Sequence, residues 1–445
     1  MSIALLIPMC SRNQSWNGIE DCYFLRSFLP RFELTKSASY KYTFYLGVDD
    51  DDAFFLRHES HLTERGFKVI NLTGCQHAPA QAWNQLFEVA VKDGHEYFFQ
   101  VGDDVILQSR KWTERFIEVL QTHNNKGVVG PCHPSNFWAR RRNGRDPVIE
   151  NAFVHKSHYD IFGSFFPANI KNWYCDDWMT QVYKPICSYT CEDIIVQNQC
   201  VDNRYVIEHL DISSLVAEGH KKIIESLKGC FSFCVFGDQD KYRKGLLKNI
   251  EIIHQYYPSW DIVVYTSPDC MDFIKSDVKI IPTGDSGYAN LLYRFKPLFD
   301  NYDIVCVRDA DSRVHERDRW CIQDFIVSPF TAYTIRDHPF HTYPIMGGLF
   351  GIKKGHPMFS MRDLNKAIET PCQYTTDTTF LETNFERKNI VVYSYNSSGV
   401  TNTNETTRVI PTPIQNQEFC GQVMLFRDGE EYCEFTHPEN ITTNG

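Results

Sequence analysis

Apolar and polar positions alternate along the first half of the chain in two rhythms. Residues 3–8, 42–48 and 67–72 are short continuous apolar runs, the form taken by strands buried on both faces of a parallel sheet. Residues 80–92 repeat at helical spacing, with Ala82, Leu86, Val89 and Ala90 on one side. Residues 97–101 form another apolar strand, which ends abruptly in Gly102-Asp103-Asp104. Near residue 229 the pattern starts again. A polar helical stretch at 219–228 leads into a strand at 231–236, a helix at 245–257 and strands at 262–265 and 278–281. A further strand at 303–307 ends in Arg308-Asp309-Ala310-Asp311. Strands alternating with helices predict an α/β fold with helices on the faces of a sheet. The halves share a plan without the identity of a sequence repeat, and the expected domains are 1–228 and 229–445. The segment 396–445 is rich in Asn, Thr and Pro and reads as loop with one strand at 421–426.

Composition changes this picture little. A chain of 445 residues is too long for one ordinary core and suits two domains. With 42% hydrophobic and 23% charged residues it is globular rather than disordered. The net charge of −11 argues against a nucleic-acid partner, because phosphate binding selects a basic surface. The apolar run at the N-terminus is short and lacks a basic flank and a cleavage site, and no stretch reaches the length of a membrane span. A cytoplasmic chain without a membrane span is therefore expected. The 16 irregularly spaced cysteines then read as reduced thiols. The CxxxC pairs Cys187/Cys191 and Cys230/Cys234 lack a second pair at zinc-finger spacing.

Candidate chemistry gathers where the predicted strands end. Ligands of open α/β sheets bind beyond the carboxyl ends of the strands, and Asp103-Asp104 and Asp309-Ala310-Asp311 both stand there. Adjacent carboxylates repel unless a cation lies between them or one is protonated. A hard divalent cation with oxygen ligands removes the conflict and can bridge a diphosphate. One such pair alone would read as a solvated turn, whereas two in equivalent places point to a cation. Asp49-Asp50-Asp51-Asp52 follows the strand at 42–48, and only Asp49 is close enough to the strand end to be held against a base or ribose. The Arg-rich stretch 137–147 reads either as a loop over the diphosphate or as a solvated basic loop.

Ordered motifs in the second half resemble a group of nucleotide-sugar-dependent glycosyltransferases of the GT-A fold, across about 231–426. They are Phe236-Gly237, Tyr257-Pro258-Ser259-Trp260, Tyr293-Arg294-Phe295, Arg308-Asp309-Ala310-Asp311-Ser312-Arg313, Ile335-Arg336-Asp337-His338-Pro339, Gly347-Gly348-Leu349-Phe350-Gly351 and Thr376-Asp377. The resemblance implies Asp309 and Asp311 as metal and diphosphate ligands and Arg294 on the nucleotide side. It places Asp337, His338 and Asp377 around the donor sugar or acceptor, although the family reads Asp-Gln where this chain has Asp377-Thr378. A surface ion pair for Arg294 and a loop cap for His338 are the plainer alternatives.

The first half, over about 3–212, is similar to a second, looser set of GT-A enzymes. Ile7-Pro8 with Ser11-Arg12-Asn13 matches the nucleotide-binding end of the first strand, and Asn84 stands where an Asn approaches the base. Gly102-Asp103-Asp104 replaces a DxD motif, which leaves Asp104 as the main metal candidate with Asp103 beside the nucleotide sugar. Trp173-Tyr174-Cys175-Asp176-Asp177-Trp178 lies where inverting members carry a carboxylate base, with Asp177 ranked ahead of Asp176 and both tryptophans as candidates for stacking on sugar faces. The same acids could simply cap a helix. His209 matches a late metal-ligand histidine, or is an ordinary histidine near a helix end.

The combined expectation is two consecutive Rossmann-like GT-A domains with mixed sheets. They would act as a bifunctional, Mn²⁺- or Mg²⁺-dependent glycosyltransferase moving sugars from nucleoside-diphosphate donors to a glycan or glycoprotein acceptor, the first domain with inversion. Fused pairs without an anchor resemble those of large DNA viruses and some microbes. Two rivals remain. A sugar nucleotidyltransferase needs a Gly-rich loop after the first strand, and neither half has one. In the other, one half, more readily the first with its Gly102, only holds glycan or positions its neighbour.

Overall fold

The computed structural model describes residues 1–199, 209–274, 278–284, 287–354, 359–401, 404–411 and 418–433. The chain divides into two compact units, Met1–Ser226 and Leu227–Gly445.

Unit 1 is built on a mixed eight-stranded sheet. In chain order its strands are β1 (Ser2–Met9), β2 (Lys41–Asp49), β3 (Lys68–Leu72), β4 (Tyr97–Gln100), β5 (Val105–Leu107), β6 (Val128–Cys132), β7 (Phe153–His155) and β8 (Ser188–Asn198). Across the sheet they run β3-β2-β1-β4-β7-β6-β8-β5. The first four are mutually parallel, β7 is antiparallel to β4 and to β6, and β8 runs parallel to β6. The parallel centre is apolar because helices cover both of its faces; β4 is buried at all four positions. One face carries Leu86, Phe87 and Ala90 of the helix Pro79–Lys92, and the other carries Trp112, Phe116 and Leu120 of the helix Trp112–Thr122. Pro79 opens its helix at a position that needs no backbone donor.

Unit 2 repeats the plan. Its strands are β9 (Gly229–Val235), β10 (Asp261–Thr266), β11 (Lys279–Pro282), β12 (Ile304–Arg308), β13 (Ala332–Arg336), β14 (Leu349–Lys353), β15 (Val392–Asn396) and β16 (Glu405–Arg408). Their order, β11-β10-β9-β12-β14-β13-β15-β16, matches unit 1 strand for strand through the first seven places. The antiparallel strand again lies beside the strand that carries the acidic motif. The fold is thus two consecutive α/β domains, Rossmann-like with mixed sheets. The eighth strands differ: β5 runs antiparallel to β8 and follows the acidic motif directly, whereas β16 comes late and runs parallel to β15.

Two segments depart from the sequence reading. In the stretch 137–147, expected as loop, residues 137–142 belong to the helix Pro134–Arg142, opened by Pro134 and anchored by buried Phe137. In the tail, the strand expected at 421–426 is a turn at Gly421 followed by a hairpin, β17 (Met424–Arg427) with β18 (Glu430–Cys433). Gly421 has φ +83°, which a strand excludes. No helix among the described residues is long and apolar enough to cross a membrane. Cys187 and Cys191 are buried free thiols whose pKa burial pushes up to about 12.

Candidate functional site

In unit 1 the ends of β1, β2 and β4 open onto one cavity of about 330 Å³. Among the described residues, the carboxyl groups of Asp49, Asp103, Asp104, Glu150 and Asp176 line it together with the guanidinium of Arg12. Trp83 and Asn198 complete much of the wall. Asp49 is the last residue of β2, and its carboxylate receives Arg12 at 2.8 Å. Burial raises the Asp49 carboxyl, and Arg12 offsets that only in part. Burial alone would lower the Arg12 guanidinium, but Asp49 overrides it and holds it up. The rest of the acidic run is local structure. Asp52 accepts from the Ser11 hydroxyl at 2.6 Å and caps the helix Ala53–Arg57, Asp51 pairs with Arg12 at 2.6 Å, and Asp50 accepts from Gln76 at 2.5 Å.

β4 delivers the acidic motif. After Gln100 the chain turns at Gly102, with Val105 N–H donating to the Gly102 carbonyl at 3.4 Å. A Cβ on residue 102 would lie 2.9 Å from Oδ1 of Asp104, so glycine is what lets the Asp104 carboxylate fold back there. Asp103 is buried at 1% exposure. An acid-rich wall is a donor set suited to a divalent ion such as Mg²⁺ or Mn²⁺, and desolvation raises the Asp49, Glu150 and Asp176 carboxyls.

Asp176 and Asp177 stand in the first turn of the helix Cys175–Tyr183, where the macrodipole favours acids. They face different surroundings. Asp176 lines the cavity, and burial, then the charge of Glu150, pushes its carboxyl well above the usual range. Asp177 is off the cavity wall and pairs with Arg140 at 3.2 Å. Of the two acids, it is Asp176, ranked second in the sequence reading, that faces the cavity. Trp178 is core, 2% exposed and stacked edge-on against Phe162, and cannot meet a sugar; Trp173 is 43% exposed. Asn84 is not a base contact. Its side chain accepts from Phe166 N–H at 2.7 Å and donates to the Phe166 carbonyl at 3.0 Å, pinning that loop to the helix Pro79–Lys92. Its neighbour Trp83 lines the cavity instead, held by Nε1 donating to the Leu6 carbonyl at 3.1 Å. His209 is exposed, bonded to the Tyr174 hydroxyl at 3.0 Å, and does not line the cavity, so it is not brought to Asp104. Glu150, Asn151 and Asn198 went unnoticed in the sequence. Glu150-Asn151 directly precedes β7, the antiparallel strand against β4, and that adjacency was the available signal.

Unit 2 places its acids at the same point of its sheet, after β12, but surrounds them differently. Asp309 is the outermost, its side chain 45% exposed. Its Oδ1 meets Arg294 Nη1 at 2.5 Å, and Nη2 of the same guanidinium meets Asp377 at 2.5 Å. Arg294 is 1% exposed and also donates to the Arg308 carbonyl at 3.1 Å, so it bridges two carboxylates from inside rather than reaching a nucleotide. Gly347 and Gly348 make this possible: a Cβ at either would fall about 2 Å from Asp377 and Asp309 respectively. Asp311 is nearly buried and pairs with Lys241 at 3.2 Å. Burial and then Asp309 raise the Asp311 carboxyl, and Lys241 offsets that in part. The C-terminal hairpin secures the motif, through Met424 N–H to the Asp311 carbonyl at 2.8 Å and Arg313 to Glu431 at 2.9 Å.

Asp337 and His338 are interior residues, not pocket lining. Asp337 is fully buried, held by Arg317 through two bonds of 2.7 and 2.5 Å and by Cys420 N–H at 3.0 Å. His338 stacks on Phe419 with centroids 4.3 Å apart and accepts from Phe340 N–H at 3.1 Å. Both clamp the tail segment at 419–420 to the end of β13. Asp377, in the first turn of the helix Thr376–Lys388, is 5% exposed, with Oδ2 of its carboxylate engaged by Arg294.

No protein-family model matches the sequence, and no curated protein matches it. Among solved structures, S. aureus TarS is similar at 13% identity over 44% of this chain and 36% of that one, with a TM-score of 0.31. The mannosyltransferase PcManGT from Pyrobaculum calidifontis, solved with GDP-Man and Mn²⁺, is similar at 12% identity over 46% of this chain and 58% of that one, with a TM-score of 0.34. Residues 1–349 of S. aureus TarS with UDP match at 11% identity over 57% and 72%, with a TM-score of 0.30. The chain thus spans less than two thirds of the first two of these proteins, and likenesses of this size carry no argument about activity.

Proposed function

We propose that unit 1 transfers a glycosyl group from a nucleoside-diphosphate sugar to a hydroxyl acceptor, with inversion. The observation that carries this reading is the convergence of Asp103, Asp104, Asp49, Arg12 and Asp176 on one cavity at the carboxyl ends of β1, β2 and β4. Asp49 and Arg12 hold the nucleoside end. Asp104, with Asp103, would hold a divalent cation, which when bound neutralises the leaving diphosphate. A sugar hydroxyl is a poor nucleophile at neutral pH. Asp176 takes its proton as the acceptor oxygen bonds to the anomeric carbon. The bond from that carbon to the diphosphate oxygen breaks, and the nucleoside diphosphate leaves with the electron pair.

Glu150 tunes this base. Its charge is one of the two main causes that raise Asp176. Glu150→Gln removes that cause, so the Asp176 pKa falls and the acid limb of the rate–pH profile moves to lower pH. A kcat/KM profile of the variant checks this, and an unmoved limb speaks against Asp176 as the base.

Unit 2 repeats the plan of unit 1 and is read as a second nucleotide-sugar module. A second reading, in which unit 2 holds glycan or positions unit 1 without turning over, is favoured by the engagement of Asp309, Asp311 and Asp377 by Arg294 and Lys241. Asp311→Asn in the full chain separates the two: loss of one transfer step supports a second transferase, and unchanged transfer supports the positioning role.

A further inference from the structure

The two acidic motifs differ in where their counter-charge comes from. In unit 1 the Arg12 guanidinium at the cavity meets Asp49 at 2.8 Å. In unit 2 the three carboxylates of Asp309, Asp311 and Asp377 already meet two cations, Arg294 and Lys241, leaving one net negative charge. Arg294 is 1% exposed and bonded through both Nη atoms of its guanidinium. Lys241 is different. It is the second residue of the helix Asp240–Tyr256, its ammonium lies 4.6 Å from the centre of the Tyr242 ring, and its side chain is 26% exposed. It can swing to solvent, whereas Arg294 cannot.

We propose that Lys241 is a built-in counter-ion that competes with divalent cations for Asp311, so that Mg²⁺ or Mn²⁺ enters unit 2 only by displacing it. The physical reason is direct. An ammonium at 3.2 Å occupies the carboxylate face a metal would take, and a dication arriving beside both Lys241 and Arg294 is repelled by each. Entry of the metal requires Lys241 to leave Asp311, at the loss of a partly buried ion pair. This rests on reading Asp309 and Asp311 as a cation-binding motif.

The test is Mn²⁺ binding to the full chain, followed by the electron paramagnetic resonance of free Mn²⁺, with Asp103→Asn and Asp104→Asn present to silence unit 1. Lys241→Met keeps the aliphatic stem on Tyr242 and removes the charge; Lys241→Gln is the second variant should Met disturb folding. The expected result is weak binding before the exchange and at least tenfold tighter binding after it, abolished when Asp311→Asn is added. Unchanged or weaker binding in both Lys241 variants overturns the competition. Absence of any Mn²⁺ site in unit 2, with or without Lys241, overturns it together with the reading of the motif.

Discussion

Asp176→Asn is expected to slow transfer by unit 1 about 10²–10⁴-fold, the range for a positioned proton acceptor, with donor KM little changed. Asparagine keeps the size and the helix position but cannot accept the acceptor's proton. The exchange also removes the acid limb of the rate–pH profile, since that limb reports Asp176. The neighbouring Asp177→Asn breaks only a partly exposed contact with Arg140, and such pairs are worth roughly 0–1 kcal/mol. Steady-state kinetics of the two variants side by side decide between the acids. Equal losses at both positions would move the base away from Asp176.

Asp337→Asn is expected to destabilise unit 2 by about 3–5 kcal/mol, the cost of leaving a buried cation without its partner. Arg317 would stay in the interior facing a neutral amide, with one acceptor oxygen in place of the two that Arg317 and Cys420 N–H now use. The pH dependence has a definite sign. Burial alone would raise the Asp337 carboxyl, but Arg317 outweighs it and holds the native pKa below the usual value. The native state therefore binds fewer protons than the unfolded state. The contribution of the pair is present above roughly pH 4 and is lost as pH falls through the depressed native value. Denaturant unfolding of wild type and variant at neutral and acid pH measures both effects. A stable variant with impaired sugar transfer would instead return Asp337 to the pocket.

The legible part of the fold was the part that is buried on both faces. β1, β2, β4, β9 and β12 are continuous apolar runs, and the helix Pro79–Lys92 has a clear period. What stayed hidden is short or mixed in burial. β7 has three residues, and β16 is mostly exposed and reads as a polar loop. In the helix Pro134–Arg142 consecutive arginines mask a single buried anchor, Phe137.

The site divides in the same way. The positions read from strand ends, Asp49, Asp103 and Asp104, share a cavity because the sheet itself carries them there. Of the residues placed by resemblance, Arg12 and Asp176 line the same cavity and others do not. Arg294, Asp337 and His338 are in the interior because their partners, Asp309 and Asp377, Arg317, and Phe419, are distant in sequence and nothing local announces them. Asp176 and Asp177 could not be ordered from sequence, since the difference between them is Arg140 on one side and Glu150 on the other.

The central claim is that the unit 1 cavity is a nucleotide-sugar site. The most direct measurement is release of nucleoside diphosphate from a panel of UDP- and GDP-sugars by the full chain with Mn²⁺, alongside the Asp104→Asn variant. The account predicts metal-dependent release with at least one donor, falling about 10²–10³-fold in the variant, as when a charge-stabilising group is removed from a leaving diphosphate. Undiminished release by the variant, or no binding of any donor by the wild-type chain, would contradict it.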